Sequence, residues 1–172
     1  MRVPTLAAIV LPALAIAACA AALAPPEVPA ALRPPAGQAL YLEALATGVQ
    51  IYECSQKTAS GYEWAFKAPE ASLADRSGRP LGKHYAGPTW EAGDGSTVVG
   101  QVAGRDPGPT STAIPWLLLS AKSNSGSGTF SAAKSIQRVA TVGGVAPAAA
   151  CAGSNLKEVA RVPYTVTYYF YR

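Results

Sequence analysis

Alternating apolar and polar positions are clearest in the last segment of the chain, PYTVTYYFY at residues 163–171. In an extended conformation one face carries Tyr164, Val166, Tyr168 and Phe170, and the other carries Thr165, Thr167, Tyr169 and Tyr171. Alternation with a period of two, in aromatic and β-branched side chains, is typical of a β-strand with one buried face. We therefore predict that the chain ends in a strand.

Other short β-forming segments precede this one and are separated by glycine and proline. They are GVQIYEC (48–54), YEWAFKA (62–68), STVVGQVA (96–103) and KSIQRVATV (134–142). IPWLLLSAKS (114–123) is a buried apolar run that is too short to predict a helix, while SGSG (125–128) and VGG (142–144) indicate turns. This pattern predicts a mainly β fold over residues 38–172, a single-domain antiparallel β-sandwich or barrel with long Gly/Pro-rich loops.

The first 24 residues have a different character, because Arg2 is followed by an apolar run rich in Ala, Leu, Ile and Val. This is the layout of a secretory signal peptide. The apolar run is also short for a membrane span, which needs roughly 20 apolar residues. We predict that residues 1–24 are a removed signal peptide and that residues 25–37, rich in proline and alanine, form an extended tether.

Two modes of cleavage remain open around Cys19. Ile16-Ala17-Ala18-Cys19 resembles the lipobox of bacterial lipoproteins, in which cleavage before the cysteine makes it the lipid-bearing first residue. Ala18-Cys19-Ala20 also fits an ordinary A-x-A site, which would discard Cys19 with the signal. The predicted location is extracytoplasmic in both cases: the periplasm, the outer membrane as a lipoprotein, or the medium. Contact with a membrane is expected only through a lipid at Cys19.

Two cysteines, Cys54 and Cys151, remain free to pair with each other after either cleavage. Cysteine pairs persist as disulfides in oxidising compartments outside the cytoplasm. We predict a Cys54–Cys151 disulfide, with two separate thiols as the alternative. A bond of this kind would join the end of a strand to a distant loop.

The charge of the chain argues against a nucleic-acid partner. The net charge is +4, and it drops to about +3 when Arg2 leaves with the signal. The basic residues fall singly along the sequence, without the clustered patch that polyanion binders present. We interpret them as solvated surface residues.

The segment GKHYAGPTWEAGDGS, residues 82–96, contains the only histidine of the chain, His84, with Glu91 and Asp94 close by. A histidine beside a carboxylate can act as a general base. Strand parity places residues 84 and 90 on one face of a hairpin and Glu91 on the other. Asp-Gly is a strong turn signal, so Asp94 is more typical of a hairpin turn. His84, Glu91 and Asp94 are therefore weak catalytic candidates, and a hydrogen-bonded structural role is favoured for His84.

Aromatic residues provide a second kind of candidate site. Trp90 and Tyr85 are candidates for an exposed platform that binds a glycan or another envelope component, since aromatic rings offer a large contact area. Trp64 and Trp116 neighbour apolar residues and are expected in the core. A single histidine and no paired C-x-x-C motif argue against a zinc site, so no metal and no cofactor is expected.

Several segments together resemble a bacterial and fungal family of exported proteins, domain of unknown function 3455. They include GVQIYEC, GKHYAGPTWEAGDGSTVVG, IPWLLLSAKS, GSGTFSAAKSIQRVATVGGVAP and VPYTVTYYFY. The resemblance covers nearly the whole chain from about residue 38 and implies a secreted, disulfide-bearing β protein, with no catalytic residues to carry over. Some relatives are labelled malate dehydrogenases. GSGTFS lacks the third glycine of a dinucleotide-binding fingerprint, where Ser131 stands, and this argues against a malate dehydrogenase.

Three functions remain open from the sequence. The favoured one is a non-catalytic binding or structural protein of the cell envelope or the medium. The second is a small hydrolase or lyase that uses His84 with Glu91 or Asp94. The third is a scaffold that needs a protein partner and binds no small ligand.

Overall fold

Eight antiparallel strands, paired in chain order, form a closed barrel in the computed structural model of this protein. The structure describes residues 23–59 and 61–172. The strands are β1 (Leu40–Gln56), β2 (Tyr62–Ala74), β3 (Pro80–Tyr85), β4 (Thr89–Ala92), β5 (Thr97–Asp106), β6 (Trp116–Ser125), β7 (Ser135–Gly143) and β8 (Val159–Tyr171). Two short 3-10 helices lie at Ala30–Leu32 and Gly153–Asn155. The prediction of a mainly β, single-domain antiparallel fold is confirmed, in its barrel form.

The ring closes where β8 pairs with β1 along almost the whole length of both strands, from Leu42 opposite Phe170 to Glu53 opposite Val159. Long neighbouring strands must coil strongly around a barrel this narrow. Gly48 of β1 allows such a close approach, since a Cβ at this position would lie 2.0 Å from the carbonyl oxygen of Glu70 on β2. Alanine at this position would therefore push β1 and β2 apart.

The inward faces of the strands fill the barrel with apolar side chains, as the alternation in β8 predicts. Tyr164, Val166, Tyr168 and Phe170 all belong to the buried interior cluster. The apolar run IPWLLLSAKS forms β6, where Leu117 and Leu119 point inward. Strands β3 and β4, which are the hairpin assumed in the parity argument for His84 and Glu91, complete the ring.

The two ends of the barrel are closed to different degrees. At one end, here called the closed end, the connections are residues 75–79, 93–96 and 126–134; at the other, the open end, they are residues 57–61, 86–88, 107–115 and 144–158. Phe130, from the connection 126–134, is 0% exposed and packs against Phe170 with ring centroids 4.8 Å apart. The closed end is therefore plugged by a loop of the chain itself.

Part of the proline-rich segment predicted as a tether packs against the outside of the barrel. Leu32 is 0% exposed, and its carbonyl oxygen accepts a hydrogen bond of 2.7 Å from Gln137 Nε2. The 3-10 helix that carries it contacts β5 and β6. The packed structure thus begins ahead of the predicted boundary at residue 38. Among the described residues, the structure contains no helix long and apolar enough to cross a membrane.

Candidate functional site

The β3–β4 hairpin divides the residues singled out in GKHYAGPTWEAGDGS between two faces. His84 pairs directly with Trp90, and their rings stack inside the barrel with centroids 4.4 Å apart. On the outer face, Tyr85 donates a 2.7 Å hydrogen bond to Glu91, and Lys83 lies 3.2 Å from the same carboxylate. The expectation from strand parity is confirmed. His84 and Glu91 therefore do not converge on one site.

His84 is a buried, neutral imidazole. Its Nδ1 lies 2.8 Å from the carbonyl oxygen of Thr89, and because a carbonyl can only accept, Nδ1 must carry the proton. Burial lowers the pKa of His84 to about 3, while the hydrogen bond to Thr89 acts in the opposite direction. Nε2 is then left as an acceptor. A group with such a low pKa is a poor general base at neutral pH, which favours the structural role predicted for it.

Asp94 lies in the turn between β4 and β5 at the closed end, as the Asp-Gly signal predicts. It accepts hydrogen bonds from the backbone and hydroxyl of Ser96 at 2.9 and 2.5 Å. Its second oxygen accepts from the backbone and hydroxyl of Thr129 at 2.8 and 2.7 Å. These bonds, led by the one from the Ser96 hydroxyl, hold the pKa of Asp94 well below its usual range. Asp94 thus fastens the loop that plugs the barrel and lies away from His84.

The three tryptophans are placed differently from the sequence expectation. Trp90 is only 1% exposed, so it cannot form an exposed platform with Tyr85, which lies on the other face of the hairpin. Trp64 and Trp116, expected in the core, are half-buried near the open end. Trp90 is buried because it pairs with His84, whose side chain points into the barrel. Trp64 and Trp116 are partly exposed because they lie near strand ends that the loops only partly cover.

A cavity of about 330 Å³ enters the barrel from the open end. Its apolar lining includes Phe66, Pro69, Trp90, Ile114, Leu117 and Leu119, and its polar lining comprises Gln50, Tyr52, His84, Arg105, Arg138 and Tyr168. The rim is exposed at Phe66 (51%) and Val102 (50%). An eight-stranded barrel has an interior just wide enough to be filled by side chains or to hold one small ligand. This barrel is filled at its closed end and hollow at its open end.

Three lining residues bury a polar atom that has no hydrogen-bond partner among the described residues. These atoms are Trp90 Nε1, Gln50 Nε2 and the hydroxyl of Tyr168. Burial raises the pKa of Tyr164, and Tyr168 and Gln50 both lie close enough to its hydroxyl to act in the opposite direction, although not in hydrogen-bond geometry. Trp90 Nε1 has no partner of either kind in the described part of the chain. Buried polar groups are nearly always paired. An unpaired donor beside a cavity is a place where a water molecule or a ligand can accept a hydrogen bond.

Arg138, on β7, provides a positive charge in the cavity wall. Its Nε and Nη2 donate to the carbonyl oxygen of Pro115 at 3.1 and 2.8 Å, which fixes the plane of the guanidinium group. Burial lowers the pKa of Arg138, and the positive charge of Arg105 acts in the same direction. A guanidinium group remains charged despite such a shift. The cavity therefore carries two cationic groups.

The predicted disulfide is confirmed, with Cys54 and Cys151 joined. It ties the end of β1 to the connection 144–158 at the open end. The same connection is held by a hydrogen bond of 2.7 Å from Tyr52 to the carbonyl oxygen of Gly144. Cys19, the candidate lipid-attachment residue, lies outside the described residues. Within residues 23–59 and 61–172, no group of His, Cys, Asp or Glu side chains is arranged to hold a metal ion.

The sequence analysis missed Gln50, Arg105, Arg138 and Tyr168 as site residues. Arg138 had a usable signal, because the alternation in KSIQRVATV places it on the same face as Ile136 and opposite Gln137. An arginine on the inward face of a buried strand is uncommon unless it is paired. The remaining residues become recognisable only when the ring closes and brings distant strands to one cavity.

No curated protein and no solved structure is significantly similar to this chain. The segments quoted for the family resemblance run from the first strand to the last, and they form the barrel wall and its connections. The family model described as protein of unknown function, DUF3455, matches residues 35–172, and the chain therefore belongs to this family.

Proposed function

We propose that this protein is a non-catalytic binding protein that works outside the cytoplasm and holds one small, largely apolar molecule in the open end of its barrel. The observation that carries the proposal is the cavity, with its apolar walls and its unpaired buried donors. Ligand sites are typically concave and mostly apolar, with a few polar groups that fix orientation. A volume of about 330 Å³ lies at the small end of the usual range, about 300–1,000 Å³.

The disulfide supports the proposed location. Cys54 is 0% exposed and its bond to Cys151 closes the connection beside the cavity mouth. Disulfides of this structural kind persist in oxidising compartments and are rare in the cytosol. The signal peptide and the lipid at Cys19 remain predictions, and mass spectrometry of the mature N-terminus distinguishes a lipid-modified Cys19 from an unmodified start at Ala21.

Binding of a small molecule fits the geometry better than glycan stacking on Trp90 or catalysis by His84. A surface that stacks sugar rings required an exposed Trp90, and this ring is buried. A hydrolase required His84 to face Glu91 or Asp94, and these residues lie on another face and at the other end. No specific contact favours either alternative. The molecule recognised is thus proposed to be a small component of the envelope or its surroundings.

The test is calorimetric titration of the mature protein with decanoate, decanamide, 4-phenylbutyrate and 4-phenylbutyramide. We expect at least one of them to bind with a stoichiometry near one. Val102→Trp narrows the cavity mouth and should weaken binding by about 10-fold, equivalent to about 1.4 kcal/mol. The matched control is Val142→Trp, since Val142 is 65% exposed and does not line the cavity. Absence of binding by all four compounds, or equal weakening by both variants, would contradict the proposal.

A further inference from the structure

Arg138 is a half-buried cation that the protein does not neutralise. None of the ion pairs in the described part of the chain includes Arg138 or Arg105. No Asp or Glu lines the cavity. Burying a charge without a partner is strongly unfavourable. The barrel therefore tolerates a charge that an anion inside the cavity would compensate.

The guanidinium group of Arg138 is held in a geometry that suits a carboxylate. The bonds to Pro115 use the Nε–Nη2 edge of the group. The N–H groups of Nη1 have no acceptor among the described hydrogen bonds, and they adjoin the second N–H of Nη2. A guanidinium edge with two parallel donors matches the two oxygens of a carboxylate. Because Pro115 fixes the plane, little side-chain freedom remains to be lost on binding.

The unpaired polar atoms around the cavity are complementary to an acceptor-rich ligand. An indole N–H is a donor only, so Trp90 Nε1 requires an acceptor. An amide NH₂ is a donor group with two hydrogens, so Gln50 Nε2, which lies beside the hydroxyl of Tyr164, can donate to a ligand as well. Burial raises the pKa of Tyr168 well above its usual range, so its hydroxyl stays protonated and can donate. The hydrogen bond at Nδ1 leaves Nε2 of His84 as an acceptor, and the amide oxygen of Gln50 is a further acceptor. Most of the polar groups in the cavity wall are therefore hydrogen-bond donors, which need an acceptor atom on the ligand.

We propose that the cavity binds a small organic anion, a carboxylate with an apolar body, with its charged group at Arg138 and its body along Leu117, Leu119 and Trp90. This inference rests on the proposed function and specifies the ligand class. Arg105, exposed at the rim, adds a positive field at the entrance that attracts anions from solution. The apolar walls exclude a fully hydrated ion, so the ligand must carry apolar surface to replace the water in the cavity.

The experiment compares each carboxylate with the primary amide of the same shape. Decanoate and 4-phenylbutyrate should bind more tightly than decanamide and 4-phenylbutyramide. Arg138→Gln should weaken binding of the carboxylates by about 10- to 100-fold, the value of a hydrogen bond to a charged group. It should change binding of the amides by less than about 3-fold. The matched control is Arg161→Gln, because Arg161 is an exposed arginine that pairs with Glu70 away from the cavity.

The outcomes separate the two proposals. Amides that bind as tightly as carboxylates, with no selective effect of Arg138→Gln, overturn the anion inference and leave a binding protein for apolar molecules. Failure of all four compounds to bind overturns the proposed function and the inference together. Arg138→Gln could be lost to unfolding if the bonds to Pro115 are essential. In that case the ratio of carboxylate affinity to amide affinity, measured in the wild type and in Arg105→Gln, tests the anion inference. Arg105 is exposed, and its replacement should reduce that ratio by a few fold.

Discussion

The open and closed ends of the barrel are formed by the same eight strands but have opposite interiors. At the closed end, Phe130 and Phe170 fill the space, and Asp94 fastens the plugging loop through two hydrogen bonds from Thr129. At the open end, a cavity remains, with unpaired donors on Trp90 and Gln50. Natural interiors are close-packed and their polar groups are paired. A hollow interior with an unpaired donor in its wall, as at the open end, is typical of a binding site rather than of poor packing.

The means of stabilisation differ in the same way. The closed end is held by packing of the loop against the interior, whereas the open end is held by the Cys54–Cys151 bond, which fixes the connection around the hollow. A region that must stay empty cannot be stabilised by filling it. A covalent link can hold its edge without occupying the cavity.

The largest expected effect tests the covalent link. Replacing Cys54 and Cys151 together by alanine removes a bond between residues 97 apart in the sequence, and it should lower the free energy of unfolding by about 4 to 5 kcal/mol in the chain-entropy model. Denaturant unfolding of the wild type and the double variant measures this change. Hydrogen exchange should accelerate in residues 144–158 more than around Phe130. Uniform acceleration at both ends would show that the two ends are not stabilised independently.

The second prediction tests packing at the closed end. Phe130→Ala removes a fully buried ring and should destabilise the protein by about 3 to 4 kcal/mol. Phe66→Ala, at the exposed rim of the cavity, is the matched substitution and should change stability by less than about 1 kcal/mol. Denaturant unfolding of each variant and of the wild type measures both changes in stability. Comparable losses for the two phenylalanines would remove the distinction between a packed and a hollow end.

The smallest expected effect concerns pH and His84, in the cavity wall. The folded protein holds the pKa of His84 at about 3, below its usual value of about 6.5. The unfolded chain therefore takes up the proton first, so stability is intact above pH 6.5 and falls as the pH drops toward 3. At pH 5 the loss attributable to His84 should be about 2 kcal/mol.

The variant His84→Asn, whose amide nitrogen is bonded to Cγ as Nδ1 of His84 is and so keeps a donor for Thr89, isolates this contribution from that of the carboxylates. Its stability should fall less between pH 7 and pH 5 than that of the wild type, in unfolding curves measured at both values. Because His84 is the only histidine of the chain, its ring signals can also be followed directly by NMR. A ring that becomes protonated near pH 6.5 in the folded protein would contradict the buried, neutral state.

Local sequence patterns predict much of the barrel wall. Alternation predicts β8, and it places His84 and Trp90 on one face with Glu91 on the other, because side chains in any extended strand alternate. Asp94 in its turn and the pairing of Cys54 with Cys151 follow from equally local chemistry and from the predicted compartment. The bounds of strands β3 and β4 were not predicted, because PLGKHY and TWEA are short and weakly alternating.

Burial could not be predicted in the same way. The sequence predicts an exposed platform at Trp90 and core positions for Trp64 and Trp116, because it shows which residues share a face but not which face turns inward. Leu32 likewise lies in a segment whose proline content predicts a tether, and it is buried only because Gln137 and the outer wall of the barrel receive it.

The residues alone thus establish an antiparallel β domain, its turns and its disulfide, since each depends on interactions over a few positions or on a single pair of groups. Closure of the barrel determines which residues form the cavity. It brings Gln50 of β1, Arg138 of β7 and Tyr168 of β8 to one cavity, and it separates His84 from Asp94. Such contacts join residues far apart in the chain, and their geometry depends on strand register, coiling and the plug at one end, which no local pattern encodes.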